Sequence, residues 1–147
     1  MGIGILGCGR LGGLLIGYLS RDFKVYAYDV VPRQRRIRSL GGIPASLPSA
    51  CAQDIVILCV PIREFEGVLC RASGFFRPGS LIVDTCSVKE IPVRLMRKII
   101  PRDVEILATH PSFGPDSAAE SLRGRKIILC PIRLRSEMDA SRDHDAQ

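Results

Sequence analysis

Two short stretches of this 147-residue sequence carry residue types and spacings able to do chemistry. The first is Gly7-Cys8-Gly9-Arg10-Leu11-Gly12, a G-x-G-x-x-G lying between an apolar run and a helical one. That context is what a dinucleotide-binding turn requires. Gly7 permits the tight turn, Gly9 leaves out the Cβ that would block a pyrophosphate, and Gly12 lets a helix pack close to a strand. The phosphates would meet free N–H groups at the positive end of that helix, so all six residues, Gly7 through Gly12, are expected to form the cofactor site. Asp29 closes Tyr26-Ala27-Tyr28-Asp29 at the offset of about 20 residues expected of the acid that binds ribose hydroxyls. A carboxylate there repels a 2′-phosphate, which favours NAD over NADP. Arg33 and Arg35 pull the other way, because an arginine just beyond this strand can hold a 2′-phosphate.

The second stretch is His110-Pro111-Ser112-Phe113-Gly114-Pro115. Pro111 drives His110 out of the helical region, and prolines on both sides stiffen the loop. A histidine so held at a strand end, beside a dinucleotide site, suits proton transfer near neutral pH. The bland alternative is a structural hydrogen-bonding histidine. Ser87-Val88-Lys89-Glu90 also has two readings. Ser87 either caps the next helix through a capping box with Glu90 or lends a hydroxyl to the chemistry, while Pro92 withholds one amide near that helix start. Lys89 either meets a substrate carboxylate or is a solvated first-turn lysine, the second being the simpler.

The elements that must position these residues alternate. Strands are expected at Ile3–Leu6, Lys24–Asp29, Ile43–Ala45, Ile55–Val60, Leu81–Asp84, Val104–Ala108 and Lys126–Cys130. Helices are expected over Arg10–Ser20, Arg33–Leu40 and Arg63–Ala72, with another from about Val88 to Ile99. The run Ile55–Val60 is wholly apolar, as in a parallel strand covered on both faces. This alternation specifies an α/β fold, a Rossmann-type doubly wound and mainly parallel sheet with helices on both faces. In such a sheet ligands bind outside the carboxyl ends of the strands, so Val60, Pro61, Ile62 and Asp84 are expected to line the cofactor groove.

Composition narrows the function classes. The chain is 46% hydrophobic, enough to bury a core, and its longest apolar runs are far too short to span a bilayer. Nothing at the N-terminus reads as a signal peptide, so a cytoplasmic protein is expected, neither membrane-bound nor secreted. Net charge is +6, yet aromatics are only 5% and tryptophan is absent, which argues against nucleic acid. The basic run Arg33, Arg35, Arg36 and Arg38 reads first as a solvated helix face and second as a contact for a phosphate-bearing ligand. Six cysteines form no Cys-x-x-Cys, so reduced thiols are expected and no metal site.

Taken in order, Gly7-x-Gly9-x-x-Gly12, Asp29, Asp54-Ile-Val-Ile-Leu-Cys-Val-Pro61, Asp84-x-x-Ser87-Val88-Lys89 and His110-Pro-x-Phe-Gly-Pro115 resemble the prephenate/arogenate dehydrogenase family of tyrosine biosynthesis. The resemblance runs over about residues 1–131, and its last two motifs are far more specific than the glycine pattern. It implies oxidative decarboxylation of a cyclohexadienol, with hydride passing to NAD, loss of carbon dioxide and aromatisation of the ring. It makes His110 the group that takes the ring hydroxyl's proton and Ser87 a residue that orients that histidine or touches the same hydroxyl. Ser112 stands where the family commonly has methionine, which alters the pocket lining and not the base. The family's helical second domain, which by resemblance forms a homodimer and supplies an arginine to the substrate carboxylate, is expected to have no counterpart in these 147 residues. Residues 1–131 are thus expected to be the dinucleotide-binding domain and 132–147 a polar, disordered tail. A stand-alone nucleotide-binding or sensing module and another nicotinamide-dependent dehydrogenase remain the alternatives.

Overall fold

The computed structural model describes residues 1–135. Its apolar runs become β1 (Gly2–Leu6), β2 (Lys24–Tyr28), β3 (Ile43–Pro44), β4 (Ile55–Leu58), β5 (Leu81–Asp84), β6 (Glu105–Pro111) and β7 (Ile127–Arg133). Between them lie α1 (Arg10–Leu19), α2 (Gln34–Ser39), α3 (Leu47–Cys51), α4 (Ile62–Ala72) and α5 (Glu90–Ile99). All seven strands form one sheet in the order β3-β2-β1-β4-β5-β6-β7. The first six run parallel and β7 pairs antiparallel with β6. Strand order reverses between β1 and β4, the switch point at which doubly wound sheets bind ligands.

Because strand side chains alternate, each strand feeds two cores. Ile3, Ile5, Val25 and Ala27 pack with Ile16 of α1 and Ile37 of α2 on one face. Leu6, Val56, Leu58, Ile82 and Ile106 pack with Phe65 and Leu69 of α4 and Met96 of α5 on the other. The alternate positions Ile57, Leu81, Val83 and Leu107 are only half-buried, so the first face is less fully covered over β4, β5 and β6.

Several boundaries differ from the sequence expectation. The pattern showed no helix at α3, whose five residues are too short for a periodic signal. Its local signature was present: Ser46 caps it by accepting from Ser49 N at 3.3 Å, and Pro48 sits in its first turn. A Cβ on Gly4 would lie 1.9 Å from Ala50 O, so α3 approaches β1 as closely as it does because Gly4 is there. β6 runs on past the expected end at Ala108 to Pro111, so His110, expected at the strand end, lies inside the strand; the antiparallel partner extends it, pairing His110 with Ile128. β7 likewise passes the expected domain end at 131 and reaches Arg133, whose Nε donates to Val104 O at 2.9 Å. The tail from Ser136, with His144, lies outside the described residues. Among those residues, no helix is long and apolar enough to cross a membrane.

Candidate functional site

The glycine loop sits where β1 ends, pinned on both sides. Gly7 N donates to Tyr28 O at 2.9 Å, and Cys59 N donates to Leu6 O at 2.8 Å. The three glycines meet different surroundings. Gly7 has φ +95°, which favours glycine, and a Cβ there would lie 2.4 Å from Cys59 O. A Cβ on Gly12 would lie 1.9 Å from Gly7 O, so α1 packs directly onto the loop. A Cβ on Gly9 would meet nothing within 4 Å and would project into open space, the room a pyrophosphate needs. Gly9 is also the N-cap of α1 and brings no capping side chain, and the first turn holds no acid. Its N–H groups are thus left for an anion.

Beside this loop is a cavity of about 310 Å³ lined by Gly7, Gly9, Tyr28, Asp29, Val30, Arg33, Leu47, Val60, Pro61, Val68 and others. Asp29 holds its wall, with its side chain 12% exposed. One carboxylate oxygen accepts from Cys8 N at 2.7 Å and the other from Val31 N at 2.9 Å. Asp29 thus locks the glycine loop as well as facing the cavity. Arg33 Nε lies 3.3 Å from Asp29 but makes no hydrogen bond although buried. Arg36 Nη2 donates to Gly9 O at 3.2 Å. Two of the four arginines read first as a solvated face therefore turn towards the loop; the signal available for them was a spacing of three, from the N-cap Arg33 to Arg36 in the first turn of α2.

Other expected cofactor residues fall elsewhere. Cys8 is buried, with Sγ 3.6 Å from Tyr28 O, and burial together with the Asp29 charge lifts its thiol to about 11. It contributes its backbone N–H and no side chain. Arg10 pairs with Asp116 at 2.5 Å, and both are exposed. Leu11 does not line the cavity, and neither does Ile62, which opens α4 and is 41% exposed. Asp84 does not face the groove: its side chain is fully buried, because the strand alternation turns it towards the α4–α5 core. Lys89 is not the solvated lysine expected; it lies over Asp84, with Nζ 2.5 and 2.8 Å from the two carboxylate oxygens.

The remaining candidates gather at the carboxyl ends of β5 and β6. His110 is half-buried, and its Nδ1 is buried without a partner. A buried polar atom left unbonded is costly and calls for an explanation. Ser87 is exposed in the β5–α5 loop, and the capping box is not formed: the N-cap of α5 is Lys89, with no side-chain cap bond. Among the described residues no hydrogen bond joins Ser87 to His110. The chain after His110 returns over α1, where Tyr18 Oη donates to Ala118 O at 2.9 Å and Ala118 is fully buried. Asp54, which opens the β4 motif, is a structural staple: it accepts from Gly2 N at 2.8 Å and pairs with Arg77, which together hold its carboxyl below its usual range.

This arrangement can hold a dinucleotide along the ends of β1, β2 and β4 and present an imidazole beside it. Comparison with known proteins bears on the family and the fold. The family described as prephenate dehydrogenase, nucleotide-binding domain, matches residues 21–139. Arogenate dehydrogenase 2, chloroplastic, of Arabidopsis thaliana is 34% identical over 142 residues, 90% of this chain and 38% of the plant protein. A probable arogenate/prephenate dehydrogenase of Methanocaldococcus jannaschii is 37% identical over 86 residues, 58% of this chain and 19% of that protein. The crystal structure of prephenate dehydrogenase from Aquifex aeolicus in complex with hydroxyphenyl propionate and NAD+ shares the fold, with TM-score 0.73 and 24% identity over 97% of this chain and 55% of that one. The chain therefore spans only part of the length of these relatives.

Proposed function

The chain belongs to the family of prephenate dehydrogenase nucleotide-binding domains, and from that premise we propose that it binds NAD and forms the nucleotide half of a prephenate or arogenate dehydrogenase. The observation that carries this reading is one sheet edge bearing both a glycine loop open to a phosphate and a histidine whose buried Nδ1 has no partner. A bound nicotinamide supplies the hydride acceptor. The N–H groups of the first turn of α1 hold the phosphates, Asp29 accepts from the ribose hydroxyls, and Val60 and Pro61 wall the adenosine end. Asp29 favours NAD, with Arg33 the residue that would admit a 2′-phosphate.

At the other end His110 accepts the proton of the ring hydroxyl as the carbinol C–H bond breaks. Loss of carbon dioxide then leaves an aromatic ring, which supplies much of the driving force. Ser87 keeps the imidazole or the same hydroxyl in line. The substrate is a small molecule, and neither nucleic acid nor membrane has a role.

Exposed Ile127, Ile128 and Leu129 on β7 and the half-buried row Ile57, Val83 and Leu107 are apolar surface that a substrate-binding layer would cover. Without such a layer the 147-residue chain binds cofactor but turns substrate over poorly, since positioning of this kind is worth about 7–11 kcal/mol of barrier. A binding module without turnover is the second reading, favoured by the openness of the His110 side. A chimera separates them: residues 1–135 in place of the matching part of the Arabidopsis relative, assayed with prephenate and arogenate for 4-hydroxyphenylpyruvate and tyrosine. Product formation is expected. A folded chimera that binds NADH and forms neither product would leave the binding module as the better description.

A further inference from the structure

We propose that Lys89, held between Asp84 and Thr109, is a positioning residue that aims His110 and shapes the loop carrying Ser87; this rests on the role given to His110 above. The reasoning starts from Asp84, whose carboxylate is fully buried and so must be paired and hydrogen-bonded. Cys86 N donates to it at 2.7 Å, and Lys89 Nζ reaches both of its oxygens. An ammonium has three donors and no acceptor. The third donor of Lys89 goes to the carbonyl of Thr109 at 2.5 Å, and Thr109 Oγ1 donates back to Asp84 O at 2.6 Å. One lysine thus ties the end of β5 to the end of β6.

Both chemistry-bearing residues depend on that tie. Asp84 and Lys89 bracket Thr85-Cys86-Ser87-Val88, so their ion pair closes the loop that holds Ser87, at a helix start with no side-chain cap. The Thr109 carbonyl belongs to the peptide group that leads into His110, so Lys89 fixes the plane from which the imidazole departs. Nδ1 of that ring is buried and unbonded, which leaves backbone and packing to set its direction.

The experiment is ring ¹H–¹⁵N correlation of the 147-residue chain, in which His144 is the only other histidine and serves as reference. In Lys89→Met the His110 ring peaks are expected to shift and the Ser87 amide to broaden, while NADH affinity stays within about threefold. That variant leaves Asp84 uncompensated, so Asp84→Asn with Lys89→Met is made beside it; the pair keeps both side-chain volumes and removes both charges. The same displaced ring is expected there, and the double variant decides if the single one does not fold. Unchanged ring peaks in a folded variant would overturn the proposal. So would a ring displaced in the single variant and restored in the double, since that effect is charge and not position. No turnover is read, so the assignment of His110 as base fails separately, on undiminished product formation by His110→Asn in the chimera.

Discussion

The two ends of the strand edge are built differently. At the nucleotide end, β1, β2, β4, α1 and α2 converge on one loop, and each contact is made within the chain: Asp29 to Cys8 N, Arg36 to Gly9 O, α1 onto Gly7. At the His110 end there is a half-buried imidazole with an unbonded Nδ1, an exposed serine and an apolar strand facing outward. The first end is closed by contacts within the chain, so its tolerance to change is expected to be small. The second is half a site, whose own residues are placed but whose far wall is not among the described residues. Substitutions at the nucleotide end should therefore act on binding, and those at the His110 end on turnover alone.

The sharpest way to break this contrast is His110→Asn in the chimera. Removing a general base typically lowers rate by about 10²–10⁴, and NADH affinity should stay within a few-fold in the same preparation. A comparable loss of affinity would mean that the two ends are not separable. At the nucleotide end Gly12→Ala should do the reverse, since its Cβ would meet Gly7 O and push the loop from its place. Such overpacking costs about 1–3 kcal/mol. Calorimetric titration should show NADH binding weakened about 10- to 100-fold, alongside a lowered Tm.

Asp29→Ser sharpens the comparison within the nucleotide end. Hydrogen bonds to a charged group are worth about 1.5–3 kcal/mol, so NADH affinity should fall by about tenfold or more while NADPH gains relative to it. Fluorescence titration of both cofactors reads the ratio directly. A ratio unmoved by Asp29→Ser would assign the preference to Arg33 and Arg36 instead.

The smallest effect concerns pH. Burial lifts the Cys8 and Cys86 thiols to about 11 and those of Cys51 and Cys59 to about 12, from an ordinary 9.0. The folded chain therefore favours the neutral thiol more than the unfolded chain does. That stabilisation is complete below about pH 9 and is lost as pH rises through 11 to 12. Urea midpoints should hold level from pH 7 to 9 and then fall, less steeply in Cys59→Ala. Near neutral pH a thiol reagent should label exposed Cys70 well before these four.

Much of this was legible in the residue order. A glycine pattern between a strand and a helix states its own geometry, because Gly7, Gly9 and Gly12 answer to local backbone demands. The strand–helix alternation specified the doubly wound sheet, since hydrophobic period and β-branched content are local properties. Pro111 alone placed His110 in extended backbone.

What only the tertiary structure decided concerns which way side chains face and what they meet. Asp84 and Lys89 stood in the sequence as a groove residue and a surface lysine. Strand alternation buried the first, and a buried carboxylate then drew the second inward across to the Thr109 carbonyl. Arg36 was one charge in a basic run until the packing of α2 beside α1 brought it to Gly9 O. β6 runs on past Ala108 through His110 because β7 returns antiparallel along it. Such contacts join residues far apart in the chain, and their cost or gain depends on burial, a property that no short stretch of sequence possesses by itself.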